Sequence, residues 1–191
     1  LAAGVSGRPF LSANEGAMTV YRVRPTGREA PFDQAEIIVS KTDLRGRITY
    51  VNDVFCRVAG FTPHELLGQP HSIIRHPDMP RAVFKLLWET LAARQEIFAY
   101  VLNMAKSGDH YWVFAHITPS YDGSGNVIGY HSNRRKPEAF QTTKVAALYR
   151  ELLDIETRGA DQKIGMSAAF DSLVSMLRNK GISYDEFVFS L

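Results

Sequence analysis

Asn103 is a side-chain amide set in an otherwise apolar run, Ile97 to Met104, and an amide buried there needs a hydrogen-bond partner. Asn52 carries the same donor-and-acceptor chemistry, with capping of the next helix or closure of a turn as its alternative role. Arg75, His76 and Asp78 crowd into one segment, Arg75-His76-Pro77-Asp78. Taken alone, Arg75 can pair with Asp78 across a surface loop, His76 can pack in that loop, and Asp78 is expected to cap the following helix. Trp88 falls on the apolar face of that helix, where a core role is the default. His64, His71, His76 and Asp78 are metal-ligand types without a shared helical spacing. No nucleophile–base arrangement suggests catalysis, so no enzyme is expected. Cys56 is the one cysteine, which excludes an intramolecular disulfide and a cysteine-cluster zinc site.

The elements that must position these residues follow from periodicity and caps. Strands are expected at Glu36 to Lys41 and Arg47 to Val51, joined by a turn at Thr42 to Gly46. Asp53 to Ala59 reads as a helix ending at Gly60. Thr62-Pro63-His64-Glu65 reads as a capping-box start, stopped at Gly68. Val83, Phe84, Leu87, Trp88 and Leu91 then recur at helical spacing. Three strands return, at Ile97 to Met104, His110 to Ser120 and Val127 to Asn133. Turns at Ser107-Gly108 and Asp122 to Gly125 separate them, and no helix follows Gly123 and Gly125 to make a phosphate loop. This order implies an α+β fold, a five-stranded antiparallel sheet with short helices on one face.

Two amphipathic helices follow, to about Thr157 and from Gln162 to Lys180. The first carries the stripe Val145, Leu148, Tyr149, Leu152 and Ile155; the second carries Met166, Ala169, Phe170, Leu173, Met176 and Leu177. They make a helical hairpin over residues 137–191 whose stripe must be buried on the sheet, on itself or on a second chain. Residues 1–32 read as a disordered tail and linker. A net charge of +2 over 191 residues does not make nucleic acid the default partner. No apolar run approaches the roughly 18 residues needed to span a bilayer, and a single cysteine is compatible with the reducing cytosol; a cytoplasmic location is expected, with any membrane anchor outside this chain.

Several strings carry a resemblance. Asp43-Leu44 with Tyr50-Val51-Asn52-Asp53, and Gly60-Phe61-Thr62 with Glu65-Leu66-Leu67-Gly68, resemble conserved segments of PAS domains. Arg75-His76-Pro77-Asp78-Met79-Pro80 and Gly108-Asp109-His110-Tyr111-Trp112-Val113 resemble the FAD-binding PAS domain of bacterial aerotaxis receptors. The resemblance implies a PAS sensory domain over 33–136 that holds FAD noncovalently. Residue by residue it implies cofactor-binding roles for Arg75, His76 and Asp78, with Asn52, Asn103 and Trp88 at further matching positions. Asn103-Met104-Ala105-Lys106 departs from the family, whose members carry basic residues just after that asparagine.

A flavin site needs apolar walls, amide hydrogen bonds to the ring rim and a cation for the pyrophosphate. Phe84, Trp88, Tyr111 and Phe114 can supply wall, Asn52 and Asn103 the amides, and Arg75 a forked grip on phosphate. The light-sensing LOV relatives need a cysteine where this chain reads Ile73-Ile74-Arg75-His76, so no cysteinyl photocycle is expected. The function implied is a redox or oxygen sensor in bacterial signal transduction. It would relay through the C-terminal helices or through homodimerisation to a chemotaxis or other signalling protein. The alternative is a PAS module holding haem, a small metabolite or nothing. Haem is disfavoured because no histidine lies between Arg81 and Asp109, although His110, His116 and His131 follow. An FAD-using oxidoreductase lacks an identifiable substrate site.

Overall fold

A computed structural model describes residues 23–191; the tail expected at Leu1 to Met18 lies outside the described residues. The opening hairpin is β1 (Ile38–Thr42) and β2 (Ile48–Val51), and β3 (Ile97–Met104), β4 (His110–Tyr121) and β5 (Val127–Arg135) form a meander. Every pairing is antiparallel, and the strand order is β2-β1-β5-β4-β3. Pairing of β5 with β1 therefore closes the domain across about ninety residues of chain, as in the register Ile38 opposite Arg134.

Between the two strand groups lie α1 (Asp53–Ala59), α2 (Pro63–Leu66), a 3₁₀ turn at His71–Ile74 and α3 (Arg81–Ala92). Local chemistry sets the first two starts. Asn52 Oδ1 accepts from Phe55 N, and Thr62 and Glu65 form a reciprocal capping box with Pro63 at the first helical position.

α3 corrects an expectation. Asp78 is not its cap: the flanking residue is Pro80, no side chain of that segment caps the helix, and the Asp78 side chain is largely exposed. The residue before a proline is pushed away from helical geometry, so the helix cannot run back through Met79 toward Asp78. The cap comes from far along the chain. Glu156 accepts from Arg81 N at 3.1 Å through Oε2 and from Ala82 N at 2.8 Å through Oε1.

Side-chain alternation gives the sheet two different faces. Val101, Asn103, Tyr111, Val113, Ala115 and Ile117 share the face covered by the short helices, with Ser132 and Arg134 of β5. Phe98, Tyr100, Trp112, Phe114 and His116 share the other. That second face is covered by α4 (Ala139–Thr157) and α6 (Tyr184–Phe189), with α5 (Gln162–Lys180) lying between them in the chain. Tyr149 of α4 stacks near Trp112 at 5.9 Å and donates its hydroxyl to Tyr100 O at 2.5 Å, while Phe189 packs on Phe98 at 4.8 Å. α5 packs on both α4 and α3. The apolar stripe is thus buried on the sheet and within the hairpin of the same chain.

Residues 24–32, read from sequence as linker, are docked. Thr26 N and Ala30 N donate to Gly108 O and His110 O at 3.0 and 2.8 Å, and His110 N donates back to Arg28 O at 2.8 Å. Phe32 is buried edge-on against Tyr111. Their hydrogen-bond partners lie some eighty residues away, which local composition does not reveal. No helix among the described residues is long and apolar enough to cross a membrane.

Candidate functional site

The sheet and α3 enclose a cavity of about 260 Å³, near the lower end of small-molecule pockets. Phe84, Leu87, Trp88 and Leu91 of α3 form its helical wall, and Val101, Ala115 and Ile117 form its apolar floor. Ser40, His71, Arg75, Asn103, Ser132 and Arg134 contribute polar groups to the lining. Trp88, 40% exposed, sits at the rim, edge-on to Tyr130 at 5.5 Å. Gly46 is required beside it: its φ is 74°, and an added Cβ would come within 3.2 Å of the Trp88 ring.

Four buried side-chain polar atoms among the described residues lack a hydrogen-bond partner: Arg75 Nε, Asn103 Nδ2, Ser132 Oγ and Arg134 Nη1. All four belong to cavity-lining residues. Unpaired buried donors are rare and costly, and these four converge on one cavity, where acceptors of a ligand would meet them.

The electrostatics agree. Arg134 is 5% exposed, and its Nη2 donates to Ser40 Oγ at 2.8 Å and to His71 Nε2 at 2.7 Å. Burial lowers its pKa to about 10, opposed by Tyr111, so it is charged at neutral pH. His71 is held neutral: burial, then Arg134 and Arg75, push its pKa well below the ordinary 6.5. Accepting from a guanidinium fixes its proton on Nδ1. Arg75 lies with its guanidinium carbon 3.8 Å from the centre of the Phe84 ring, a cation–π contact. Burial, then Arg81, lowers the Arg75 pKa, against the opposing pull of Glu156. Exposed Arg45 adds a third arginine, and no carboxylate among the described residues lines the cavity.

The structure brings three of the eight sequence-derived site residues to this cavity, Arg75, Trp88 and Asn103. Trp88 is at the rim rather than in the core. Asn52 is elsewhere: its Oδ1 accepts from Phe55 N and Val39 N, both at 3.0 Å, and its Nδ2 donates to Ile37 O at 2.8 Å. It clasps β1 to α1, the capping alternative. His76 is buried behind the lining, where its Nδ1 accepts from Asp78 N at 3.1 Å and burial lowers its pKa. Asp78 is bound into that loop, 3.7 Å from His76, and does not pair with Arg75. Tyr111 is fully buried on the cavity side of the sheet, beyond the lining. Phe114 points to the opposite face, 5.9 Å from Phe189; the β-strand alternation that places Val113 and Ala115 inward places it outward.

Sequence reasoning missed Ser40, His71 as a hydrogen-bond partner, Ser132 and Arg134. Polar Ser132 and Arg134 at alternate positions of an otherwise foldable strand were the available signal, but the strand was expected to stop at Asn133. None of His110, His116 and His131 lines the cavity, and its one histidine, His71, is engaged with Arg134. A histidine-ligated haem is therefore not supported. The described residues contain no cluster of three or more metal-ligand types.

Comparison with known proteins places the chain among relatives by sequence and by fold. The chain is 40% identical over 127 residues to the aerotaxis receptor of Escherichia coli (strain K12), covering 66% of this chain and 25% of the receptor. It is 34% identical over 103 residues to a nitrogen fixation regulatory protein of Klebsiella pneumoniae, covering 54% of this chain and 21% of that protein. The chain thus spans a quarter or less of these relatives. A solved light-oxygen-voltage domain, studied with a flavin analogue, superposes with a TM-score of 0.52 at 20% identity, covering 60% of this chain and 86% of that one; that likeness concerns the fold. Residues 48–134 match the family model described as PAS fold, and with the five-stranded antiparallel sheet and its helices, the chain carries a PAS domain followed by C-terminal helices.

Proposed function

We propose that the chain is a bacterial signal-transduction sensor whose PAS cavity holds FAD noncovalently and responds to redox state or oxygen. The observation that carries this reading is the convergence of Arg75 Nε, Asn103 Nδ2, Ser132 Oγ and Arg134 Nη1, all unpartnered, on one cavity with an apolar helical wall. A planar heteroaromatic ring rimmed by carbonyls and ring nitrogens has the complementary chemistry. Similarity to the aerotaxis receptor supports a flavin within that class.

A flavin supplies a reversible acceptor of electrons and protons, and its ring nitrogens change hydrogen-bonding character with redox state. Asn103 can answer either character, because its amide both donates and accepts. Arg134 holds a positive charge at the cavity with no carboxylate among the described lining residues to neutralise it, and neutral His71 and Ser40 fix its orientation. This favours ligand states that carry negative charge. Arg45 and Arg75 are the cations available to a phosphate-bearing end. The signal would pass to the C-terminal helices or to a dimer partner, and onward to a chemotaxis or other signalling protein in the cytosol. No enzymatic turnover is required.

The test is an absorption spectrum of the purified chain, or of the chain incubated with FAD and desalted, before and after dithionite. Two visible flavin bands that bleach on reduction are expected, altered in the N103A variant. A chain that neither carries nor takes up FAD would overturn the reading in favour of a PAS module for another ligand or for dimerisation.

A further inference from the structure

Glu156 is the one carboxylate buried among the described residues, 8% exposed, and it lies outside the PAS domain, in the last turn of α4. Both of its oxygens are committed to the first backbone N–H groups of α3, a helix with no side-chain cap from its own segment. A carboxylate there meets orphan donors and the positive end of the helix together. α3 is also the helix that presents Phe84, Leu87, Trp88 and Leu91 to the cavity. Arg75 rests on Phe84 and is held toward its charged form by Glu156.

On its other side, Glu156 marks the closest approach of α4 and α5. A Cβ built on Gly165 would fall 2.2 Å from Glu156 O, so this crossing exists only with glycine. α5 itself reaches α3 through Arg81 Nη1 to Gln162 Oε1 at 2.6 Å and Lys85 Nζ over the Phe170 ring at 4.2 Å. Glu156, capping α3 from α4, therefore joins the cavity wall to the helical hairpin together with these two contacts from α5.

We propose that Glu156 is the positioning residue that couples the ligand cavity to the C-terminal helices. Occupancy of the cavity sets how firmly α5 is docked, and docking of α5 sets ligand affinity. The coupling is reciprocal, since the same free energy links both equilibria. The proposal rests on the flavin reading for its probe alone.

The experiment uses the full chain with FAD as probe. In wild type, FAD slows amide exchange across Gln162–Lys180; in Glu156→Gln, FAD binds roughly five- to tenfold more weakly and the FAD-dependent protection of α5 is lost. Gly165→Ala, which leaves the Glu156 side chain intact and displaces its backbone, shifts both readouts in the same direction. Should either variant fail to fold, Gln162→Ala removes only the Arg81 link and gives a smaller change of the same sign. Equal FAD affinity and equal protection in wild type and Glu156→Gln overturn the proposal. A ligand-free arm keeps the two readings separate. In a Trp112→Phe background Trp88 is the only tryptophan, and adding Glu156→Gln increases its quenching by iodide as the α3 wall loosens. Unchanged quenching overturns the coupling whether or not FAD binds, whereas failure of wild type to bind FAD overturns only the flavin reading.

Discussion

Asn103 and Arg134 make the cavity a place where stability and function pull apart. A buried donor left unpaired destabilises the folded chain, by about 1–3 kcal/mol, unless a ligand supplies the acceptor. Asn103→Leu removes the unpaired donor and keeps the number and branching of side-chain heavy atoms. Without cofactor it should raise unfolding stability by about 1 kcal/mol in a urea titration, while FAD affinity falls at least tenfold. A loss of cofactor-free stability would show that Asn103 Nδ2 already has a partner. His71 adds a pH signature. Its native pKa lies well below 6.5 because of burial and the two arginines. Below pH 6.5 the unfolded chain therefore binds a proton that the native chain refuses, and stability falls as pH drops. His76 contributes with the same sign. Glu65, its pKa lowered to about 2 by Lys106 and Thr62, stabilises fully above 4.5 and loses that contribution only below it. The window from pH 6.5 to 5 thus belongs to the histidines. Urea midpoints should decline across it, and His71→Gln should make the decline shallower; an unchanged slope would mean that His71 is protonated in the fold.

Elements were the most legible level, because their causes are local. β3, α1 and α5 occupy the residues that alternation, helical spacing and caps indicate, Ile97–Met104, Asp53–Ala59 and Gln162–Lys180. What failed needed information from elsewhere in the chain. Asp78 carries a capping side chain, but Pro80 moves the helix start beyond its reach. Phe114 is aromatic and near Tyr111, yet one residue of strand alternation sends it to the other face. Arg134 finds Ser40 across 94 positions, and α3 finds its cap across 74. The site was legible where a residue was odd in its own setting, as Asn103 was, and illegible where its oddness is created by the fold. Asn52 shows the opposite error, a residue of functional type with a structural task. Asn52→Ala removes acceptors for Phe55 N and Val39 N and a donor for Ile37 O. It should lower unfolding stability by about 2 kcal/mol, with FAD retention falling in step with the folded fraction. A large loss of FAD at unchanged urea midpoint would instead give Asn52 a direct part in binding.

At the scale of the molecule, the sheet has one face turned to the cavity and one turned to the C-terminal helices, so β3 and β4 are read from both sides at once. Asn103 faces the cavity between Leu102 and Met104, which face the other way. Tyr100, two residues beyond Leu102 on that outer face, gives its carbonyl to Tyr149 of α4. A change felt along β3 is therefore available to α4 without a long pathway, and Glu156 supplies a second route through α3. The same arrangement bears on self-association. Phe98, Tyr100, Trp112 and Phe114 form an aromatic surface that α4 and α6 of the same chain cover. Uncovered, such a patch is an association surface. A chain ending at Lys136 should consequently form dimers or larger species at concentrations where the full chain has a smaller mass, as measured by light scattering after size exclusion. Replacing Trp112 and Phe114 with lysine in the shortened chain should return it to monomer. If shortening leaves the number of subunits per particle unchanged, the aromatic face is not what α4 and α6 shield from a second copy, and signalling through dimerisation would have to use another surface.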